Sequence, residues 1–284
     1  PGSGGEDGSI DASSAAMAEG GGDDASAGLA EGGGAVIDAP RTEGAANPGD
    51  ASRSAEAAVD AGTFRPCPAG TTPCAIMPLG DSITYGYGQT TGGGYRVELF
   101  RRATTDNHSI TYVGNVTSGP ATVNGVAFPQ QNEGHSGYTI DDSASTKGIS
   151  PLVDASIAAN KPNIVLLMIG TNDMHYGIDL ANAPARLGRL IDRITTDAPG
   201  ALLLVGTIIP ANGAQNTPTQ AYNAAIPGVL AARAAQGKHL AMVDLFAAIG
   251  TWSSANYKDS EHPNDSGYAL MAQAWYVALK GYLP

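Results

Sequence analysis

The chain has 284 residues, of which 42% are hydrophobic, 6% aromatic and 15% charged, with two cysteines and a formal net charge of −12. That length suits one large domain or two small ones, no run reaches the roughly 18 apolar residues of a membrane span, and two cysteines cannot build a disulfide-dense scaffold or a four-cysteine zinc site. The sign of the charge excludes a nucleic-acid binder, which needs a basic face to displace counterions from phosphates.

The acidity is local. Residues 1–60 contain 12 Asp or Glu against only Arg41 and Arg53, and the rest of the chain is close to neutral. The same 60 residues include 15 Ala, 13 Gly and no aromatic side chain, too little apolar surface to offset an ordering cost of about 1–2 kcal/mol per residue. Residues 1–65 are therefore expected to be a disordered, self-repelling linker, and residues 66–284 a single folded domain. The sequence begins at Pro1 without a methionine, which leaves room for an export signal or a lipid anchor upstream.

Cys67 and Cys74 stand at the junction, separated by Pro68, Gly70 and Pro73. Those residues favour a turn that brings the sulfurs together, so either a disulfide, with the oxidising compartment it implies, or two buried thiols is expected there. From about residue 75, short continuous apolar runs alternate with longer amphipathic stretches. Strands are expected over 75–79, 110–113, 163–169, 201–209 and 240–245, and helices over 94–104, 151–160, 180–197, 219–236 and 265–281. Runs such as I-V-L-L-M-I, apolar on both faces, suit central parallel strands covered by helices. The prediction is an α/β protein, a three-layer α/β/α sandwich around a five-stranded parallel sheet.

In such a sheet ligands bind outside the carboxyl ends of the strands, and the polar residues gather there: G-D-S-I-T at 80–84, Gly114-Asn115, G-T-N-D at 170–173, and D-S-E-H-P-N at 259–264 before the last helix. Ser82 becomes a nucleophile only with a base to take its proton. Asp259 and His262, three apart, supply one: the carboxylate reaches one ring nitrogen while the other faces Ser82. The Ser82 N–H, the Gly114 N–H and the Asn172 side-chain amide are candidate donors to the oxyanion of a tetrahedral intermediate. Asp81 and Asp173 read as loop-fixing acceptors, Arg96 as an anchor of the serine loop, and His108, His175 and His239 as residues outside the chemistry.

These four blocks, in order and spacing, resemble those of the SGNH hydrolase superfamily, also called the GDSL esterases, over about residues 75–284. The resemblance implies the flavodoxin-like SGNH fold and ester hydrolysis through an acyl-serine, without metal or other cofactor. It assigns Ser82, His262 and Asp259 as the catalytic residues and Ser82, Gly114 and Asn172 as the oxyanion hole.

G-G-G-Y-R at 92–96, N-E-G-H-S-G-Y-T-I-D at 132–141 and H-P-N-D-S-G-Y at 262–268 are further similar to carbohydrate esterase family 3, whose members resemble acetylxylan esterases. An acetylated polysaccharide is then the expected partner, and Glu133, His135 and Tyr138 the expected substrate contacts, with Tyr138 standing where that family's pattern has Trp. The other reading of those three residues is a hydrogen-bonded loop that only shapes the wall. Two sequons, at Asn115 and Asn264, lie beside proposed site residues, and glycans there would block the cleft. A bacterial protein, secreted or held at the cell surface, is therefore expected. The rival readings are an SGNH esterase for longer acyl chains, of the lysophospholipase or thioesterase kind, and a carbohydrate-binding domain without turnover.

Overall fold

The structure is a computed structural model that describes residues 64–284. The linker expected over 1–65 lies outside the described residues except for its last two, and these two belong to the domain. Phe64 stacks on the His239 ring with centroids 3.6 Å apart, and Arg65 donates to the Gly281 carbonyl at 3.1 Å. Cys67 and Cys74 are joined in a disulfide.

All five expected strands form. They are β1 (Cys74–Gly80), β2 (Ile110–Tyr112), β7 (Ile164–Met168), β8 (Leu202–Gly206) and β9 (Leu240–Val243), running parallel in the order β2-β1-β7-β8-β9. Every residue of β7 and β8 is buried, as their unbroken apolar sequences require when helices cover both faces. The sheet has seven strands instead of five, because the edge of β1 is shared. β2 pairs with its first half, through Cys74, Ala75 and Ile76, while β6 (Gln131–Gly134) pairs with its end, through Leu79 and Gly80. β3 (Val116–Thr117) runs antiparallel to β6 outside it, and β4 (Thr122–Val123) and β5 (Val126–Ala127) form a separate hairpin.

The expected helices appear as α2 (Tyr95–Thr105), α3 (Ser150–Asn160), α5 (Ala183–Asp197), α6 (Asn216–Ala234) and α8 (Asp265–Leu279). α2 packs on α8, while α5 packs on both α3 and α6, which gives the two helical layers. Trp275, Tyr95 and Tyr268 are fully buried between α2, α8 and the sheet. Three short helices follow strands directly: α1 (Ser82–Tyr85), α4 (Thr171–Tyr176) and α7 (Leu245–Ile249).

From β1 the chain moves outward to β2 and then crosses back, through α3, to β7 on the other side of β1. That reversal is the topological switch point of a doubly wound sheet, where a crevice opens beyond the carboxyl ends of the two strands. α1 and α4 start at those two ends.

Candidate active site

At the end of β1 the chain turns into α1, and Asp81 caps it: its Oδ1 accepts the Ile83 N–H at 2.9 Å. Ser82 is the first helical residue, so its N–H has no acceptor within the helix. Burial raises the Asp81 carboxyl to about 6, against the opposing hydrogen bond from Ile83 and the influence of His262. Arg96, fully buried on α2, donates to the carbonyls of Thr84, Tyr85 and Gln131 and to the Ser118 hydroxyl, at 3.3, 3.3, 3.4 and 2.6 Å. It thereby ties the serine turn to β6, the anchoring expected of it. Among the described residues no carboxylate pairs with this guanidinium, and burial lowers its pKa.

The histidine comes from the other side, on the loop before α8. Asn264 caps that helix, its Oδ1 accepting from Ser266 and Gly267 at 3.0 and 3.2 Å, and Lys258 N–H closes the loop on the His262 carbonyl at 2.8 Å. His262 Nε2 lies 2.9 Å from Ser82 Oγ, and its Nδ1 lies 3.0 and 2.9 Å from the two oxygens of Asp259. Asp259 Oδ1 also accepts the backbone N–H groups of Glu261 and His262, at 3.0 and 2.8 Å. Burial acts to raise the Asp259 carboxyl, but these backbone bonds and the imidazole outweigh it, and the net shift is downward. The three side chains expected as nucleophile, base and acid are thus in one hydrogen-bonded line, with Asp259 in its charged form.

Asn172, buried in the first turn of α4, donates one amide hydrogen to the Tyr138 carbonyl at 2.8 Å. Its neighbour Asp173 pairs with Arg186 on α5 and accepts the Ile140 N–H at 3.1 Å. Burial raises the Asp173 carboxyl even against that ion pair. Both expected loop-fixing aspartates therefore hold loops.

Gly114 is a correction. Two residues beyond Tyr112, which pairs with Ile76, it sits level with the middle of β1 and short of the serine turn. Its N–H donates to Asn160 Oδ1 at 3.1 Å. The residue is glycine for a different reason: a Cβ there would lie 2.3 Å from the Asn132 backbone. The strand that reaches the serine is β6, whose following loop contains Gly137. Gly137 has φ +80°, open space where a Cβ would stand, and an N–H that donates to no other described residue. It lies one residue from the carbonyl that holds Asn172. The sequence signal for it was the G-H-S-G stretch itself, which the assignment to Gly114 passed over.

Glu133 is a second correction. It is 1% exposed, accepts the Asn115 N–H at 2.6 Å and pairs with His135 at 2.8 Å. Burial pushes its carboxyl up, but these hydrogen bonds prevail and the net shift is downward. His135, held by Glu133, stacks on Tyr138 with centroids 4.9 Å apart. Of the three expected substrate contacts, Glu133 is turned inward, and His135 acts on the wall by fixing the Tyr138 ring. A residue the sequence reading missed is Tyr87, 55% exposed, whose ring is 4.5 Å from that of His262 and whose N–H donates to the Ser82 carbonyl at 2.9 Å.

A doubly wound sheet with a serine, an asparagine and a histidine gathered at its switch point defines the SGNH hydrolase class, a class of carboxylic ester hydrolases. The chain belongs to the GDSL-like lipase/acylhydrolase family, whose model matches residues 79–270. It is similar to a family 3 carbohydrate esterase of Clostridium thermocellum, with 33% identity and TM-score 0.63 over 72% of this chain and 94% of that one. A carbohydrate esterase family 3 structure from Talaromyces cellulolyticus matches at 25% identity and TM-score 0.62, over 73% of this chain and 96% of the other. A multidomain esterase of Ruminococcus flavefaciens is 31% identical over 73% of this chain, which spans only 28% of that protein's length.

Proposed function

We propose that the domain is a serine esterase that removes acetyl groups from acetylated carbohydrate, xylan above all, through an acyl-serine intermediate. The observation that carries this reading is the line Ser82 Oγ, His262 Nε2 at 2.9 Å, and Asp259 on the other ring nitrogen at 2.9 Å. Ser82 attacks the acetyl carbonyl carbon while His262 takes its proton, and the Asp259 carboxylate holds the tautomer and stabilises the imidazolium. The Ser82 N–H, the Gly137 N–H and the second amide hydrogen of Asn172 receive the oxyanion. The carbon–oxygen bond to the sugar breaks, His262 protonates the departing hydroxyl, and water activated by the same histidine releases acetate and restores Ser82.

Likeness to the family 3 carbohydrate esterases supports the carbohydrate half of the proposal. The Cys67–Cys74 disulfide supports an oxidising compartment, and with it a protein secreted or displayed at a bacterial surface. No helix among the described residues is long and apolar enough to cross a membrane, so surface attachment would rest on an anchor outside them.

The test is acetate release from acetylated xylan, with nitrophenyl acetate and octanoate alongside. Ser82→Ala and His262→Ala are each expected to lower kcat by roughly 10³- to 10⁶-fold, because the two act as a unit. Turnover in Ser82→Ala at the wild-type rate would sink the acyl-serine. Hydrolysis of both nitrophenyl esters without acetate from xylan would keep the acyl-serine and replace the substrate with a longer acyl compound.

A further inference from the structure

Next to Gly137 and Tyr138 the surface opens into a recess of about 450 Å³. One wall is Ser136, Gly137 and Tyr138, the loop whose Tyr138 carbonyl holds Asn172. The opposite walls are Ser145 and Lys147 from the loop before α3, and Tyr176 from the last turn of α4. Tyr176 is 52% exposed although it ends a helix whose first turn carries buried Asn172. Its position is fixed: the preceding His175 contacts Glu261 at 3.0 Å, beside His262, and packs edge-on against the Tyr176 ring at 4.9 Å.

The polar ends of Ser136, Tyr138, Ser145, Lys147 and Tyr176 make no side-chain hydrogen bond or ion pair with another described residue. They line one recess whose wall includes Gly137, one of the three proposed oxyanion donors. Hydroxyls and an ammonium beside two tyrosine rings and Ile178 suit a ligand with apolar ring faces and equatorial hydroxyls, whereas an acyl chain would offer those polar groups no partner.

We propose that this recess binds the polysaccharide backbone of the substrate, with Tyr176 as the platform on which one sugar ring stacks and Lys147 and the serines as donors to its hydroxyls. The inference rests on the acetyl-carbohydrate reading above. It makes Tyr176 and Lys147 residues that set specificity for a polymer over a small ester, since a nitrophenyl acetate reaches Ser82 without filling the recess.

Two measurements test it. In the first, kcat/KM is measured on acetylated xylo-oligosaccharide, nitrophenyl acetate and nitrophenyl octanoate for wild type, Tyr176→Ala and Lys147→Ala. The ratio of oligosaccharide to nitrophenyl acetate should fall about tenfold in Tyr176→Ala, carried by KM, the order expected for one lost stacked aromatic surface. An unchanged ratio in both variants overturns the proposal, and a selective loss on octanoate assigns the recess to an acyl chain and overturns it equally.

In the second, xylohexaose is titrated into Ser82→Ala and followed by amide resonances. Shifts confined to residues 136–138, 145–147 and 176 support the recess, and their absence refutes it. Should wild type release no acetate from xylan while hydrolysing nitrophenyl acetate, the proposed function fails on its own. The xylohexaose titration then still decides whether the recess takes sugar.

Discussion

The Asp81 carboxyl beside Ser82 is fully buried, and its Oδ2 points toward the Thr171 hydroxyl without either atom closing a hydrogen bond of good geometry. Its folded pKa of about 6 lies above the ordinary aspartate value of 3.8. The folded state therefore holds this proton more tightly, so the contribution of Asp81 to stability is fullest below about pH 4 and is lost as pH rises through about 6. That loss is of the order of 3 kcal/mol, since one pKa unit corresponds to about 1.4 kcal/mol. Asp81→Asn keeps the oxygen that accepts from Ile83 and gives Thr171 a donor. Calorimetry should find it more stable than wild type at pH 8, with the advantage shrinking by pH 4.5; an advantage independent of pH would refute this account. At Asn172 the expected effect is on rate: Asn172→Ala should lower kcat by about 10²- to 10³-fold, the usual cost of one oxyanion donor, measured on nitrophenyl acetate with KM little changed.

At the scale of elements, α4 is held to α5 by the buried pair of Asp173 and Arg186, and through Asp173 to the loop after β6. Removing Arg186 leaves Asp173 buried and unpaired, which costs about 3–5 kcal/mol. Arg186→Leu should show this as a lower denaturant midpoint, together with a fall in kcat because Asn172 and Tyr138 are fixed by the same contacts. Equal midpoints would mean that the pair contributes nothing. The five parallel strands and five long helices were legible because short continuous apolar runs alternate with longer amphipathic stretches. α1, α4 and α7, of four to six residues, are too short to form such a stretch. β6, with the sequence QNEG, was invisible to a search for apolar runs. Its Asn132 is buried by donating to Val116 and Gln130 carbonyls and accepting from Gly134, so polar satisfaction and not hydrophobicity places this strand.

Across the whole domain, the disulfide and the site lie at opposite ends of β1: Cys74 is its first residue and Ser82 stands two residues beyond its last. Seven residues of strand separate them by about 23 Å. The bond closes a short loop, and its loss should cost about 2 kcal/mol, or a Tm lower by about 4–8 °C. In Cys67→Ser/Cys74→Ser the fall in Tm should come without a change in kcat on nitrophenyl acetate. A parallel loss of kcat would show that the two ends of the strand are coupled.

The sequence alone determined the doubly wound sheet, because burial on both faces writes continuous apolar runs into the strands. It also singled out Ser82, Asn172, Asp259 and His262, because the end of each strand is where polar residues interrupt those runs. What only the tertiary structure decided is which groups meet there. The edge of β1 is divided between β2 and β6, and it is β6 that reaches the serine, so the loop that follows beside it carries Gly137, while Gly114 stays level with the middle of β1. Glu133 turns inward to accept the backbone N–H of Asn115 and to pair with His135. Tyr176 is left exposed by a helix too short to bury its last turn. The first two depend on pairing between separate segments of the chain, a choice that no local periodicity records.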